Sequence, residues 1–395
     1  MRIPRRRFGR TEVQMPVLSC GGMRYQQGWE DLEPDKIDPK IQENLEVTVH
    51  RALELGITHI ETARGYGPSE MQLGWVLPKI DRDQYLLQTK IGVKETAEEF
   101  LEVFETSMKN LQVDYVDFLS IHGINLPEHI DTCLKKGGCV EAIRKLQKEG
   151  RVRFCGFSTH GGPEAVIPAC KTGEFDYVNL HWYFIYDQLH RPMVEAAAKQ
   201  DMGVFIISPN DKGGMLYKPT EKMSALCRPL TPMQWNDLYC LQRPEVHTLS
   251  IGAAKPTDFD EHVEAVSRYL DDPMVGDIER RIVRSLESDL GSDWVRHWHE
   301  GLPFYLDVPG EINVREILRL WTFDQGLGLR EFAKMRYNLL GNASHWFPGQ
   351  QAAEVDSVDW SCLKESRFAD RIPGILKEAH SLYWEDREAK RLSES

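Results

Sequence analysis

Between residue 17 and about residue 270 the chain alternates short apolar runs with longer stretches whose apolar residues recur at three-and-four spacing. A short apolar run bounded by turn residues marks a buried strand, and three-and-four spacing marks a helix with one face turned to a core. The strand candidates are 17–20, 57–61, 85–89, 116–121, 152–157, 177–181, 204–208 and 248–252, with helical stretches such as 44–55, 69–77, 98–110, 140–148 and 191–200 between them. Eight strands with intervening helices over roughly 250 residues predict an α/β fold, a closed (β/α)8 TIM barrel. A doubly wound open sheet more often carries G-x-G-x-x-G after its first strand, and Cys20-Gly21-Gly22-Met23 does not have that form. The stretch 210–243, rich in Pro, Lys and Met, interrupts the alternation and predicts a long loop with a short helix placed over an active site.

A chain of 395 residues is longer than one barrel needs. Asp271-Asp272-Pro273 is a linker signal, and the sequence beyond it holds charged helical patterns and few β-branched runs. The expected division is a barrel over 1–270 and an additional C-terminal helical domain over 271–395, packed against it. A formal net charge of -13 argues against nucleic acid or an anionic membrane as partner, because phosphate attracts an excess of Lys and Arg. No run reaches the ~18 apolar residues of a membrane helix. Arg5-Arg6-Arg7 is followed by Phe8-Gly9-Arg10-Thr11-Glu12 rather than an apolar segment, which argues against a twin-arginine export signal. The eight cysteines are scattered without ligand or disulfide spacing, so reduced thiols and a cytoplasmic location are expected.

In a barrel of this type functional groups gather at the C-terminal ends of the strands. There the second strand candidate ends at Glu61, with Tyr66 in the turn beyond; the third ends at Lys90 and the fourth at His122. Singly, each has a plain structural reading: an ion pair for Glu61 and Lys90, a packed turn residue for Tyr66, a hydrogen-bonded core histidine for His122. Together they contain the parts needed to protonate a carbonyl oxygen. As hydride reaches a carbonyl carbon, negative charge grows on the oxygen and a nearby phenol can act as general acid. A phenol near its ordinary pKa of about 10 is a weak donor at neutral pH. A neighbouring ammonium, Lys90, lowers that value. Glu61 would hold Lys90 charged and aimed, and His122 would orient the substrate oxygen.

At these residues the sequence resembles the aldo-keto reductase superfamily. His59-Ile60-Glu61-Thr62-Ala63-Arg64-Gly65-Tyr66-Gly67-Pro68-Ser69-Glu70 is similar to its Asp-Thr-Ala-x-x-Tyr-Gly-x-Ser-Glu signature; Leu87-Gln88-Thr89-Lys90 and Asp117-Phe118-Leu119-Ser120-Ile121-His122 match its lysine and histidine strands. The resemblance covers residues 8 to about 266. It departs at Glu61, where the family has Asp; the extra methylene keeps the charge and displaces the lysine unless the backbone adjusts.

The resemblance implies a nicotinamide cofactor held without a Rossmann fold. It places Gly22 and Met23 beside its path, Ser158 and Asn179 at the carboxamide, and Ser208 after the seventh strand. Lys212 and Gly213 fall near the pyrophosphate, with a solvated loop as the alternative, and Ala253, Ala254, Lys255, Glu261 and His262 fall at the adenosine phosphate. Ile207 stands where many members stack an aromatic ring, and Asp258 where NADPH-preferring members often place a basic residue. NADPH is the expectation, with NADH open. Tyr25, Trp29, Trp182 and Tyr183 are aromatics near strand ends for which core packing and a pocket lining both remain open.

The tail has its own resemblance. Tyr337-Asn338-Leu339-Leu340-Gly341-Asn342, His345-Trp346-Phe347-Pro348-Gly349 and Ile372-Pro373-Gly374-Ile375-Leu376-Lys377-Glu378-Ala379-His380 are similar to the C-terminal region of aldo-keto reductases with a ferredoxin-like iron-sulfur module. The places equivalent to its ligand cysteines hold Trp298, Gly301, Phe304 and Val308, and near the second run Cys362 stands between Asp359 and Ser366. One thiolate cannot hold a cluster, so no iron-sulfur cluster and no metal are expected.

These readings converge on an NAD(P)H-dependent oxidoreductase that reduces a small aldehyde or ketone. Two rivals remain: a nucleotide-binding regulatory or scaffold protein whose C-terminal tail docks a protein partner, and a lyase or isomerase using the Lys90 amine as Schiff-base nucleophile.

Overall fold

The computed structural model describes residues 3–386. Residues 387–395, which the sequence assigns to the helical tail, lie outside the described residues. Among the described residues there are ten strands: β1 (Arg5–Arg7), β2 (Gln14–Pro16), β3 (Leu18–Gly21), β4 (His59–Glu61), β5 (Leu86–Gly92), β6 (Val116–His122), β7 (Val152–Ser158), β8 (Tyr177–Leu180), β9 (Gly203–Ile206) and β10 (Thr248–Ile251). β3 to β10 pair in parallel, each with its neighbour in sequence, and β10 closes on β3. This is the expected (β/α)8 TIM barrel, with all eight candidates in place and no strand end more than three residues from its expected position. β5 runs on to Gly92 rather than ending at Lys90, so Lys90 sits inside a strand with its backbone fixed on both sides.

Local chemistry sets where the crossover helices begin. Helix Pro39–Glu54 starts with Pro in its first turn and the Asp38 carboxylate accepting from Lys40 N. Helix Ala97–Leu111 starts with a reciprocal pair, Thr96 and Glu99, each side chain bonded to the other's backbone.

The N-terminal hairpin was not foreseen. The arginine triplet that opens the sequence forms β1, antiparallel to β2, and the turn between them carries Phe8 into the barrel bottom. There Phe8, Met15, Phe118, Tyr177 and Phe205 form a buried cluster, with Phe8 meeting the Phe118 ring edge-on at 5.6 Å. Arg6 reaches outward to donate to the carbonyls of Leu241 and Val246. A charged triplet can be a strand because only its alternate side chains need a partner.

The chain divides into two compact units. The first holds the barrel: residues 1–182, 190–209 and 240–271. The second holds residues 183–189, 210–239 and 272–395. The 210–243 interruption contains two helices, Glu221–Cys227 and Pro232–Leu241, rather than the one expected. Within the second unit the main helices are Met274–Leu290, Ser292–His297, Val314–Leu327, Arg330–Tyr337 and Ile372–Tyr383. Its interior is aromatic and polar at once. Trp294 Nε1 donates to Thr322 Oγ1 at 3.1 Å, the Arg371 guanidinium lies 4.5 Å from the Trp294 ring, and fully buried Arg319 bonds Glu316 and the Tyr186 hydroxyl. Gly301 packs against the backbone of Glu365 and Ser366, bringing together the two runs that the ferredoxin-like resemblance singles out. Trp298 and Val308 are buried. Among the described residues no helix is long and apolar enough to cross a membrane, and no group of three His, Cys, Asp or Glu is placed to hold a metal ion.

Candidate active site

In a parallel barrel, residues in register on neighbouring strands share a face. Gly92, His122, Ser158 and Asn179 are in register across β5, β6, β7 and β8, and one step deeper Lys90, Ser120, Gly156 and Tyr177 form the next level. The C-terminal mouth therefore gathers Lys90, His122, Ser158 and Asn179 on its inner wall, and Glu61 ends β4 beside them.

Four of the expected residues meet. The Lys90 ammonium bonds to the Glu61 carboxylate, to the Thr62 carbonyl at 2.8 Å and to the Tyr66 hydroxyl at 3.1 Å. Its nitrogen also lies 4.5 Å from the centre of the Tyr66 ring. The His122 ring stands edge-on to Tyr66 with centroids 5.8 Å apart. Lys90 and Glu61 are buried, whereas Tyr66 and His122 are half-buried. The turn that presents Tyr66 is held by Arg64 N donating to the Lys90 carbonyl and Ser69 N donating to the Tyr66 carbonyl. Gly67 is obligatory in it: its φ is +52°, and a Cβ would collide with the Gly28 carbonyl.

The glutamate in place of aspartate is accommodated locally. Its second carboxylate oxygen accepts from Ser250 Oγ at 3.4 Å, on β10. The space for it exists because position 21 is glycine: a Cβ there would stand 2.6 Å from Ser250 Oγ and 3.5 Å from Glu61 Oε2.

Burial sets the titration of the central pair. It pushes the Tyr66 phenol above the ordinary tyrosine range, the reverse of the lowering by Lys90 that the sequence predicts, and Lys90 well below the ordinary lysine range. Against that, Lys90 has a carboxylate, a carbonyl and a phenol oxygen around it, one acceptor for each proton of an ammonium.

The cofactor candidates fall into three groups. Asn179 is fully buried, and both its amide oxygen and its amide nitrogen lack a hydrogen-bond partner. A buried amide of that kind is costly unless something completes it, and a ligand carboxamide offers the matching donor and acceptor. Ser158, nearly buried, is its in-register neighbour. Gly22 and Met23 follow β3, where Gly22 N donates to the Glu61 carbonyl at 2.6 Å, so this stretch is tied to the site. Ser208 follows β9 with a left-handed backbone, φ +53°.

The second group lies beyond β10. Ala253 is buried, Ala254 and Lys255 are exposed, Glu261 is half-buried and His262 is buried in the helix Asp260–Arg268. Here Asp258 does something the sequence did not reveal: its carboxylate accepts from Ala254 N at 2.9 Å and Lys255 N at 3.2 Å. The third group, Lys212 and Gly213, lies in the stretch 210–239 of the second unit. Of the aromatics near strand ends, Tyr25, Trp182 and Tyr183 are buried, while Trp29 is 36% exposed and meets the Tyr66 ring edge-on at 6.1 Å.

Comparison with known proteins agrees with this architecture. L-galactose dehydrogenase of Arabidopsis thaliana is 33% identical over 291 residues, covering 65% of this chain and 89% of that protein. An aldo-keto reductase of Mycobacterium sp. (strain KMS) is 31% identical over 185 residues, 45% of this chain and 63% of that protein. The fold is similar to the crystal structure of an aldo-keto reductase from Klebsiella pneumoniae in complex with NADPH, with TM-score 0.56 and 18% identity, covering 71% of this chain and 95% of that one. Residues 17–282 match the Aldo/keto reductase family, and with the barrel and its mouth in view, this chain belongs to that family.

Proposed function

We propose that the protein is an NAD(P)H-dependent reductase of a small aldehyde or ketone, with Tyr66 as general acid. The observation that carries the reading is the 3.1 Å bond from Lys90 to the Tyr66 hydroxyl, backed by Glu61. A bound nicotinamide would supply hydride to the carbonyl carbon. This chain's own residues do the rest. Tyr66, kept protonated by its enclosure, gives its proton to the carbonyl oxygen as that oxygen becomes an alkoxide, a far stronger base than phenolate. Lys90 stabilises the phenolate left behind, and Glu61 keeps Lys90 charged in a buried place. His122 bonds the substrate oxygen from the opposite side. Ser158 and Asn179 would hold the carboxamide, Gly22, Met23 and Ser208 would flank the nucleotide, and Ala253, Ala254, Lys255, Glu261 and His262 would serve its phosphates.

NADPH is the first reading, with Lys255 countering the 2′-phosphate. A specific observation favours NADH as the second: Asp258 already occupies the Ala254 and Lys255 amides, and a carboxylate repels a phosphate dianion.

The use of Lys90 as a Schiff-base nucleophile fits poorly, since an ammonium with an acceptor for each of its three protons has no lone pair to offer. The test is a panel of small aldehydes and ketones with NADPH and NADH, run beside borohydride trapping. Oxidation of the nucleotide with at least one carbonyl, and no trapped adduct, is expected. Nucleotide binding without turnover of any carbonyl, or an adduct on Lys90, would overturn the proposal.

A further inference from the structure

Two levels of the barrel interior follow one plan and differ at a single position. On the lower level the Thr248 hydroxyl on β10 meets the Ser19 hydroxyl on β3 at 2.8 Å, and Ser19 meets His59 Nδ1 on β4 at 2.7 Å. Ser19 stands in the middle and links β10 to β4. Two residues further along each strand, where side chains face the same way, come Ser250, Gly21 and Glu61. The middle position now has no side chain, and the outer two meet directly, with Ser250 Oγ donating to Glu61 Oε2 at 3.4 Å. A Cβ on Gly21 would stand 2.6 Å from that hydroxyl and 3.5 Å from that carboxylate oxygen.

Backbone conformation does not call for this glycine. Gly21 lies in β3, paired with Glu61 on β4, and is absent from the glycines with positive φ. What the position supplies is the missing Cβ, at the place where a neighbour approaches closely. Ser250 and Glu61 are both buried, so a carboxylate oxygen that lost this donor would not regain a bond to bulk water. The same carboxylate bonds the Lys90 ammonium through its other oxygen, and Lys90 bonds the Tyr66 hydroxyl at 3.1 Å. The chain of contacts from β10 therefore ends on the phenol.

We propose that Ser250 is a positioning residue: it holds one oxygen of Glu61 so that the other stays on Lys90, and Gly21 provides the opening through which it does so. The inference rests on the reductase reading of Tyr66 and Lys90. It makes Ser250, Gly21 and Glu61 one unit, in which the glutamate at position 61 works because β10 gives its second oxygen a donor and β3 gives it room. An aspartate, one methylene shorter, cannot span both contacts from the same Cα. The residue of the family signature, placed at position 61 of this chain, should thus lower activity rather than raise it.

The test is a double-mutant cycle on the full-length protein with Ser250→Ala, Glu61→Asp and the two combined, and with Ser250→Thr as the conservative variant. Each is measured for carbonyl turnover, nucleotide affinity and the midpoint of chemical denaturation. Ser250→Ala should lower kcat about tenfold, the worth of one hydrogen bond to a buried charge, with nucleotide affinity unchanged. Ser250→Thr, which keeps the hydroxyl, should recover most of that loss. Glu61→Asp should lower kcat at least as far, and the combined variant should be no worse than Glu61→Asp in turnover or in midpoint, because the shorter carboxylate has already released the hydroxyl. Losses that simply add, or a Ser250→Ala protein with wild-type kcat, would overturn the proposal. The midpoints read the coupling of Ser250 to Glu61 without any turnover. A wild-type protein that reduces no carbonyl would therefore count against the reductase reading, and additive midpoints against this one.

Discussion

At the N-terminal end of the barrel the buried carboxylate of Asp117 is closed off by three donors: Leu87 N at 2.9 Å, Arg82 at 2.7 Å and Arg153 at 2.5 Å. At the C-terminal end, the buried Asn179 amide has both of its polar atoms unmatched, and Lys90 shares its protons with the hydroxyl of half-buried Tyr66. The same strands run through both ends. The lower end is filled with aromatic rings around a fully bonded carboxylate, and the upper one keeps a buried amide with both polar atoms unmatched. In (β/α)8 barrels stability is concentrated at the first and chemistry at the second, and the contrast between Asp117 and Asn179 has that sense.

The comparison can be pressed hardest at Phe8. Phe8→Ala empties the bottom of the barrel and should destabilise the protein by about 3–5 kcal/mol, seen as a lower midpoint in chemical denaturation, while the turnover of the remaining folded protein stays close to wild type. A comparable loss of turnover in the folded fraction would mean that the ends are not separable.

Acid should act on the same lower half. His59, fully buried between the rings of Phe118 and Phe205, is brought down from 6.5 to about 3 by burial. Between those two values the unfolded chain binds a proton that the folded chain refuses, so stability falls as pH drops from about 6.5 toward about 3, by a few kcal/mol in all. Denaturation at successive pH values should show a shallower decline in His59→Gln than in wild type; equal slopes would remove His59 from the account.

Asn179→Ala should show the smallest effect on stability and the opposite sign of consequence at the upper end. Removing an unmatched buried amide costs the free protein little or nothing, but nucleotide affinity should fall about tenfold, the worth of one to two hydrogen bonds. Titration of the nucleotide into both proteins checks this, and equal affinities would detach Asn179 from the cofactor.

Much of this was legible in the sequence, for identifiable reasons. Buried parallel strands are short apolar runs with helices between, so all eight could be counted. Glu61, Tyr66, Lys90 and His122 lie at or near strand ends, where sequence position alone predicts convergence. Two things were not legible. Phe8 follows an arginine triplet whose central side chain finds its acceptor more than two hundred residues away, at the Val246 carbonyl. The seat of Asp258 on the Ala254 and Lys255 amides depends on the turn geometry after β10.

The upper end's role is tested most directly by one variant, Tyr66→Phe, which keeps the ring and deletes only the proton donor. Turnover and nucleotide affinity measured together should separate: turnover down by about 10²–10⁴-fold, as for a lost general acid, with affinity and thermal midpoint unchanged. Turnover equal to wild type would contradict the account, because the carbonyl oxygen would then be taking its proton from somewhere other than residue 66.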